Sequence, residues 1–229
     1  MKISGLQKTS LLDYPRKVSA IIFTQGCNFR CGYCHNPELL DATAPAAITV
    51  EEIWAFLKKR QKVLDAVVIT GGEPTLQADL PEFIREVKKM GYLIKLDTNG
   101  TNPAMLKELI KYNLLDYIAM DIKASPEGYN RVTGVRAATT AIKASIKLIM
   151  QSGVDYEFRS TILPAWHSAS EIKAMAELIR GAKRYYLQNF LNQGKLHDQK
   201  LVGERSFTNS ELKKLATVAR EFVQNCEVR

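Results

Sequence analysis

Cysteine is scarce in this chain, and no apolar run comes near the length of a bilayer span. Runs such as "VSAIIF" and "AVVI" fall far short of the ~20 apolar residues a spanning helix needs. The opening stretch "MKISGLQKTSLLDYPRK" has no apolar block before a cleavage site, so no secretion signal is expected. A cytoplasmic location follows. Thiols stay reduced there, and clustered cysteines read as metal-binding or catalytic rather than as disulfides. No Pro/Ser/Gly linker, charge block or sequence repeat interrupts the chain, which predicts one domain over residues 1–229. The formal charge is +8, yet no basic run is interleaved with aromatics as a nucleic-acid groove requires. Lys and Arg are spread along helical patterns such as "FLKKRQKV" and read as solvated surface. Neither a nucleic acid nor a membrane is expected as a partner.

What is present is alternation. Short β-branched runs at 18–23, 66–70, 93–97, 117–121, 156–161 and 185–188 read as strands, several apolar on both faces as buried parallel strands are. Amphipathic stretches at 50–63, 80–90, 103–112, 137–151, 168–180 and 209–225 read as helices. "TVEE" and "TNSEL" carry helix-start signals, and Gly91 and Gly153 fall where helices should end. Six strand–helix units predict an α/β fold, a partial (β/α)6 barrel open on one side, with a doubly wound sheet as the alternative. In either architecture chemistry gathers on the loops after the strands. Those loops here read "TQGCNFRCGYCHN", "TGGEPTLQ", "LDTNG", "MDIKAS", "STILPAWHS" and "LQNFLNQG".

Three of the four cysteines, Cys27, Cys31 and Cys34, lie within the eight residues "CNFRCGYC". Thiolates are soft ligands suited to zinc, copper(I) and iron–sulfur clusters. Structural zinc sites use paired C-x2-C knuckles and four protein ligands. Here there is one C-x3-C-x2-C run, and only His35 or the remote Cys226 could complete a zinc set. Three thiolates on one loop suit a [4Fe–4S] cluster with one iron left open to a small molecule. Cys226 is expected in a terminal helix as an ordinary buried thiol.

The C-x3-C-x-φ-C form, with Tyr33 at the aromatic position, resembles the radical S-adenosylmethionine (SAM) enzymes. The longer stretch "FTQGCNFRCGYCHNPEL" is similar to the glycyl-radical-enzyme activases, above all the activating proteins of anaerobic ribonucleoside-triphosphate reductase. The resemblance implies a [4Fe–4S] cluster on Cys27, Cys31 and Cys34, with Tyr33 beside the cofactor. It implies that Gly71, Gly72 and Glu73 bind the methionyl amino group of SAM, and that Lys123 meets its carboxylate. A carboxylate suits an ammonium group by charge-assisted hydrogen bonding. Asp97 and Thr98 are implied beside the cofactor. Together with Asp121 and the backbone of Ala119 they are implied to hold a monovalent cation. Arg159 is expected to line the substrate side. The chain departs from the formate-lyase activases on its sixth strand, where Leu191 replaces a histidine, and Gln188 or Asn189 is expected to supply the polar contact. His35 is expected to support the loop rather than ligate.

The implied activity is reductive cleavage of SAM to methionine and a 5′-deoxyadenosyl radical, which abstracts hydrogen from a backbone glycine of a partner enzyme. That partner is anaerobic ribonucleotide reductase by resemblance, and the electron comes from an external reductant such as flavodoxin or ferredoxin. Two alternatives stand beside it: a radical SAM enzyme acting on a small molecule, in the manner of 7-carboxy-7-deazaguanine synthase, and a zinc-bearing nucleic-acid module.

Overall fold

In the computed structural model, which describes residues 1–192 and 194–229, the doubly apolar runs form the middle of one sheet. The six expected strands are β2 (Ser19–Thr24), β3 (Ala66–Gly71), β4 (Leu93–Thr98), β5 (Tyr117–Asp121), β6 (Asp155–Ile162) and β7 (Tyr185–Asn189). They pair in sequence order and all in parallel. Each parallel step needs a crossover, and a helix supplies it. Helices α1 (Val50–Arg60), α2 (Leu80–Lys89), α3 (Pro103–Lys111), α5 (Thr139–Gln151) and α6 (Ala169–Leu178) fill that role, and α7 (Asn209–Arg220) follows β7. A short α4 (Tyr129–Thr133) precedes α5. The capping boxes read in the sequence are formed, Thr49 with Glu52 on α1 and Thr208 with Glu211 on α7.

Alternate residues of each strand face opposite layers. Ile22, Val67, Ile69, Ile94, Ile118 and Phe158 are buried among the helices, in the main core. Ile21, Val68 and Tyr117 point into the concave face, in a smaller apolar cluster that Tyr14 joins. This second cluster fills the amino end of the concave face and leaves the carboxyl end for polar groups.

Two strands lie outside the expected six. β1 (Ile3–Ser10) runs antiparallel to β2, and β8 (Cys226–Val228) pairs in parallel with β7. The sheet order is β1 to β8 in sequence, and its two edge strands do not pair with one another. The barrel is therefore partial and open. Cys226 is a correction: α7 ends at Arg220, and Cys226 opens β8 in register with Tyr185, the first residue of β7. That places its thiol at the amino end of the sheet, opposite the loop that carries the other three. No helix among the described residues is long and apolar enough to cross a membrane.

Candidate active site

The carboxyl ends of β3 to β6 and the loop after β2 line one cleft. Cys27, Cys31 and Cys34 all line it, and all three thiols are unpaired. The loop that carries them is held from outside. Arg30 donates to the carbonyls of Cys27 (2.6 Å) and Phe29 (2.8 Å), and its own amide donates to Thr133 at the end of α4. The amides of His197 and Asp198 donate to the carbonyls of Cys34 and Gly32. Burial pushes the Cys31 thiol up to about 11, against the pull of the Lys123 ammonium, and burial likewise raises Cys27. A thiolate here therefore requires a cationic partner such as bound metal.

Gly71 and Gly72 close the next wall, and the reason for glycine is visible. Gly71 has φ +116°, and a Cβ there would sit 2.3 Å from the amide nitrogen of Thr24. A Cβ on Gly72 would sit 2.1 Å from the carbonyl oxygen of Gly26. The backbone entering the cysteine loop packs directly on these glycines, and Gly72 N–H and Glu73 N–H donate to Thr24 and Gly26 across the contact.

Glu73 is almost fully buried. Its Oε1 accepts from Thr75 N (3.0 Å), Thr75 Oγ1 (2.5 Å) and Thr98 Oγ1 (2.7 Å), while Oε2 accepts from Asn99 N (2.6 Å). Burial raises its carboxyl above the usual range, with these donors pulling the other way. One side chain thus ties the loop after β3 to the loop after β4, and leaves lone-pair capacity on Oε2. Asn99 then reaches the cysteine loop, donating from Nδ2 to Asn28 Oδ1 at 2.9 Å.

A row of charges forms the inner wall. On β4 the period of two puts Lys95 and Asp97 on one face, and Lys95 Nζ lies 2.5 Å from Asp97 Oδ1. Arg159 bridges onward, NH1 to Asp97 Oδ2 at 3.2 Å and Nε to Asp121 Oδ1 at 3.1 Å. Asp121 Oδ2 then meets Lys123 Nζ at 2.9 Å. Burial alone would raise both carboxyls, but the neighbouring cations outweigh it. Asp97 is lowered, by Arg159 first and then Lys95, and Asp121 falls to about 2. Lys123 stays firmly protonated, since Asp121 overcomes the cost of its burial. Its backbone is fixed by His167, a buried residue whose Nδ1 accepts from Leu163 N–H, which leaves Nε2 to donate to the Lys123 carbonyl (3.1 Å).

Tyr33 also lines the cleft. Lys123 Nζ stands 5.8 Å from its ring centroid, and its buried hydroxyl has no hydrogen-bond partner among the described residues. A buried orphan hydroxyl at a cleft is an opening for a ligand atom.

Of the residues singled out in the sequence, the structure brings together Cys27, Cys31, Cys34, Tyr33, Gly71, Gly72, Glu73, Asp97, Thr98, Asp121, Lys123 and Arg159 around one cleft. Ala119 lies beneath, in register with Asp97. Gln188 stands on β7 opposite Thr161 and is not among the walls, and Leu191 is exposed. Asn189 spends its amide on Phe207. His35 is exposed and stacks on Phe190 with centroids 6.1 Å apart. Sequence reasoning missed Lys95, Asn99 and His167. Lys95 had a signal: two residues before Asp97 on a strand is the same face.

The sequence matches the Radical SAM superfamily over residues 21–179. The chain belongs to that superfamily. It is 34% identical, over 99% of its length and 95% of the relative's, to a protein of Methanocaldococcus jannaschii assigned as a glycyl-radical enzyme activating enzyme. It is 26% identical to the pyruvate formate-lyase-activating enzyme of Clostridium pasteurianum, over 97% of this chain and 98% of that one. In fold it is similar to SuiB of Streptococcus suis, with a TM-score of 0.68 and 16% identity over 91% of this chain and 48% of that one. This radical SAM chain is thus an enzyme of the activating type, and its family implies a [4Fe–4S] cluster and SAM as cofactors.

The cleft's residues fit both. Among the described residues no group of three His, Cys, Asp or Glu side chains surrounds a single-ion site. A [4Fe–4S] cluster needs none, because each thiolate takes its own iron. Two cations, three carboxylates and an orphan hydroxyl on its walls suit a zwitterionic amino-acid group.

Proposed function

We propose that this chain cleaves SAM reductively and installs a glycyl radical on a separate enzyme, anaerobic ribonucleoside-triphosphate reductase. The observation that carries the reading is the single cleft walled both by three thiols of one short loop and by Lys123. The similarity to activating enzymes over nearly the full length of both chains supports the type of reaction.

In this reading Cys27, Cys31 and Cys34 would hold the cluster. The cofactors, when bound, would supply reductive cleavage of SAM and hydrogen abstraction from the substrate glycine, with the electron coming from a reductant such as flavodoxin or ferredoxin. The protein positions and shields. Lys123, held over Tyr33 and fixed by His167, receives the methionyl carboxylate. Tyr33 offers its unpartnered hydroxyl. The backbone at Gly71 and Gly72 and the spare capacity of Glu73 Oε2 receive the amino group. Gln188, on β7, stands further toward the open side, where the adenosyl group and the partner's loop would enter. The unpaired state of all four cysteines suits a reducing cytoplasm. The net charge of +8 suits an acidic partner surface. The chain would act as one domain.

The test is electron paramagnetic resonance on an anaerobic mixture of this protein, SAM, a reductant and the reductase. A glycyl doublet is expected on the reductase, lost when its target glycine is changed to alanine. Release of 5′-deoxyadenosine driven by a small molecule, with no protein radical, would overturn the reading in favour of a small-molecule radical SAM enzyme.

A further inference from the structure

Resemblance implied that Asp97, Thr98, Asp121 and the backbone of Ala119 coordinate a monovalent metal ion. The side chains fit that role poorly, because each of the four carboxylate oxygens already faces a fixed protein cation. Asp97 gives Oδ1 to Lys95 and Oδ2 to Arg159, and Asp121 gives Oδ1 to Arg159 and Oδ2 to Lys123. The Thr98 hydroxyl donates to Glu73 and accepts from Gly100 N–H. The charge count points the same way. Lys95, Arg159 and Lys123 already match Asp97, Asp121 and the neighbouring buried Glu73 in number, on row side chains all at most 28% exposed, so no unmatched negative charge is left for an ion. A further cation would meet three fixed ones where solvent screening is weak.

We infer that the Lys95 ammonium and the Arg159 guanidinium are built-in cations that stand in place of a monovalent metal, so that SAM binding by this chain does not depend on Na⁺ or K⁺. Lys95 is the decisive residue. Its side chain is 2% exposed, its ion pair among the described residues is with Asp97, and it is not one of the cleft's walls, so it does not itself contact a ligand there. Arg159 is fixed by two carboxylates on two strands and supplies a bridge that an ion would otherwise make. The inference rests on the reading that the methionyl carboxylate binds at Lys123.

The test uses the anaerobically prepared, cluster-loaded protein in buffers whose only added cation is tetramethylammonium, Na⁺ or K⁺ at matched ionic strength. Two quantities are read: SAM affinity by calorimetry, and the melting temperature without SAM. For the wild type both are expected to be the same in the three buffers, with affinity constant within about twofold, because an ion that does not bind contributes no linkage. Lys95→Met keeps the unbranched stem, ends one atom short of the ammonium and removes the charge. It is expected to lose affinity in tetramethylammonium and to recover at least about fivefold in K⁺ or Na⁺, the low end of ordinary coupling between sites. Its melting temperature should rise with the same ions. A wild type whose affinity or melting temperature responds to K⁺ or Na⁺ would overturn the inference. So would a folded Lys95→Met protein indifferent to both ions. If that variant does not fold, the wild-type arm decides alone. The melting arm contains no SAM, so it reports on the cation question even if the proposed function is wrong.

Discussion

Replacing Glu73 by alanine removes one carboxylate and four accepted hydrogen bonds. The two hydroxyl donors, on Thr75 and Thr98, can rotate to other acceptors. The two backbone donors, Thr75 N–H and Asn99 N–H, cannot, and both residues are buried. A buried donor left unsatisfied costs roughly 1–3 kcal/mol, so the pair costs about 2–6 kcal/mol, with about 4 as the central figure. For a chain of this size about 1 kcal/mol moves the melting temperature by roughly 2–4 °C, and a fall of roughly 8–16 °C is expected. Glu73→Gln keeps the shape and one oxygen. Its amide nitrogen must face either the Asn99 N–H or the three donors at Oε1, so about half the loss is expected, roughly 1–3 kcal/mol. The assay is thermal unfolding of the anaerobically purified proteins, followed by SAM titration at a temperature where each is folded. SAM affinity should fall in both variants, since the two loops that Glu73 ties are walls of the cofactor cleft. An alanine variant that melts within about 2 °C of wild type, while binding SAM tenfold more weakly, would refute the clamp. Glu73 would then be a direct ligand of the cofactor and little more.

Replacing any of Cys27, Cys31 or Cys34 by alanine should abolish the visible absorbance of the cluster and SAM cleavage. Cys226→Ala, at the far end of the sheet, should retain both, and loss of the cluster there would sink the assignment. Acid should loosen the charged row: Asp121 titrates at about 2 when folded against an ordinary 3.8. A carboxyl lowered on folding stabilises fully above its unfolded value and loses that contribution as pH falls through its folded one. Melting temperature should therefore drop between about pH 4 and pH 2, less steeply in Asp121→Asn, and equal slopes in the two proteins would refute the coupling.

The parallel strands and their helices were legible because β-branched runs buried on both faces differ so clearly from amphipathic stretches. β1 was not, for a physical reason. It is an edge strand with residues Gln7 to Thr9 exposed and a glycine at position 5, so neither face shows a periodic apolar set. β8 is too short for any period to register, and its cysteine was carried into the preceding helical pattern. At the site, loop spacing revealed the cysteines and strand ends revealed Asp97, Asp121 and Lys123. Which partner satisfies each group was hidden, because it depends on register between strands far apart in sequence. Glu73 illustrates this: its donors come from residues two, twenty-five and twenty-six positions away.

The same register accounts for the charged row. The ladder sets Asp121 directly opposite Arg159 and Asp97 opposite Ala119. Arg159 must therefore cross β5 to reach Asp97 on β4, and the methyl group of Ala119 leaves it that path. A larger inward side chain on β5 at this level would block the crossing and strand Asp97 with half its charge unmatched, which burial makes costly. The row is thus assembled from three strands by alternation, register and one small residue. Because those are features of the sheet rather than of a loop, the cations at the cleft are held before any cofactor arrives. Preorganised charge costs no rearrangement at the moment of reaction. A site that must aim a highly reactive radical at a single carbon–hydrogen bond gains most from that rigidity, since misplacement by about 1 Å can cost two orders of magnitude in rate.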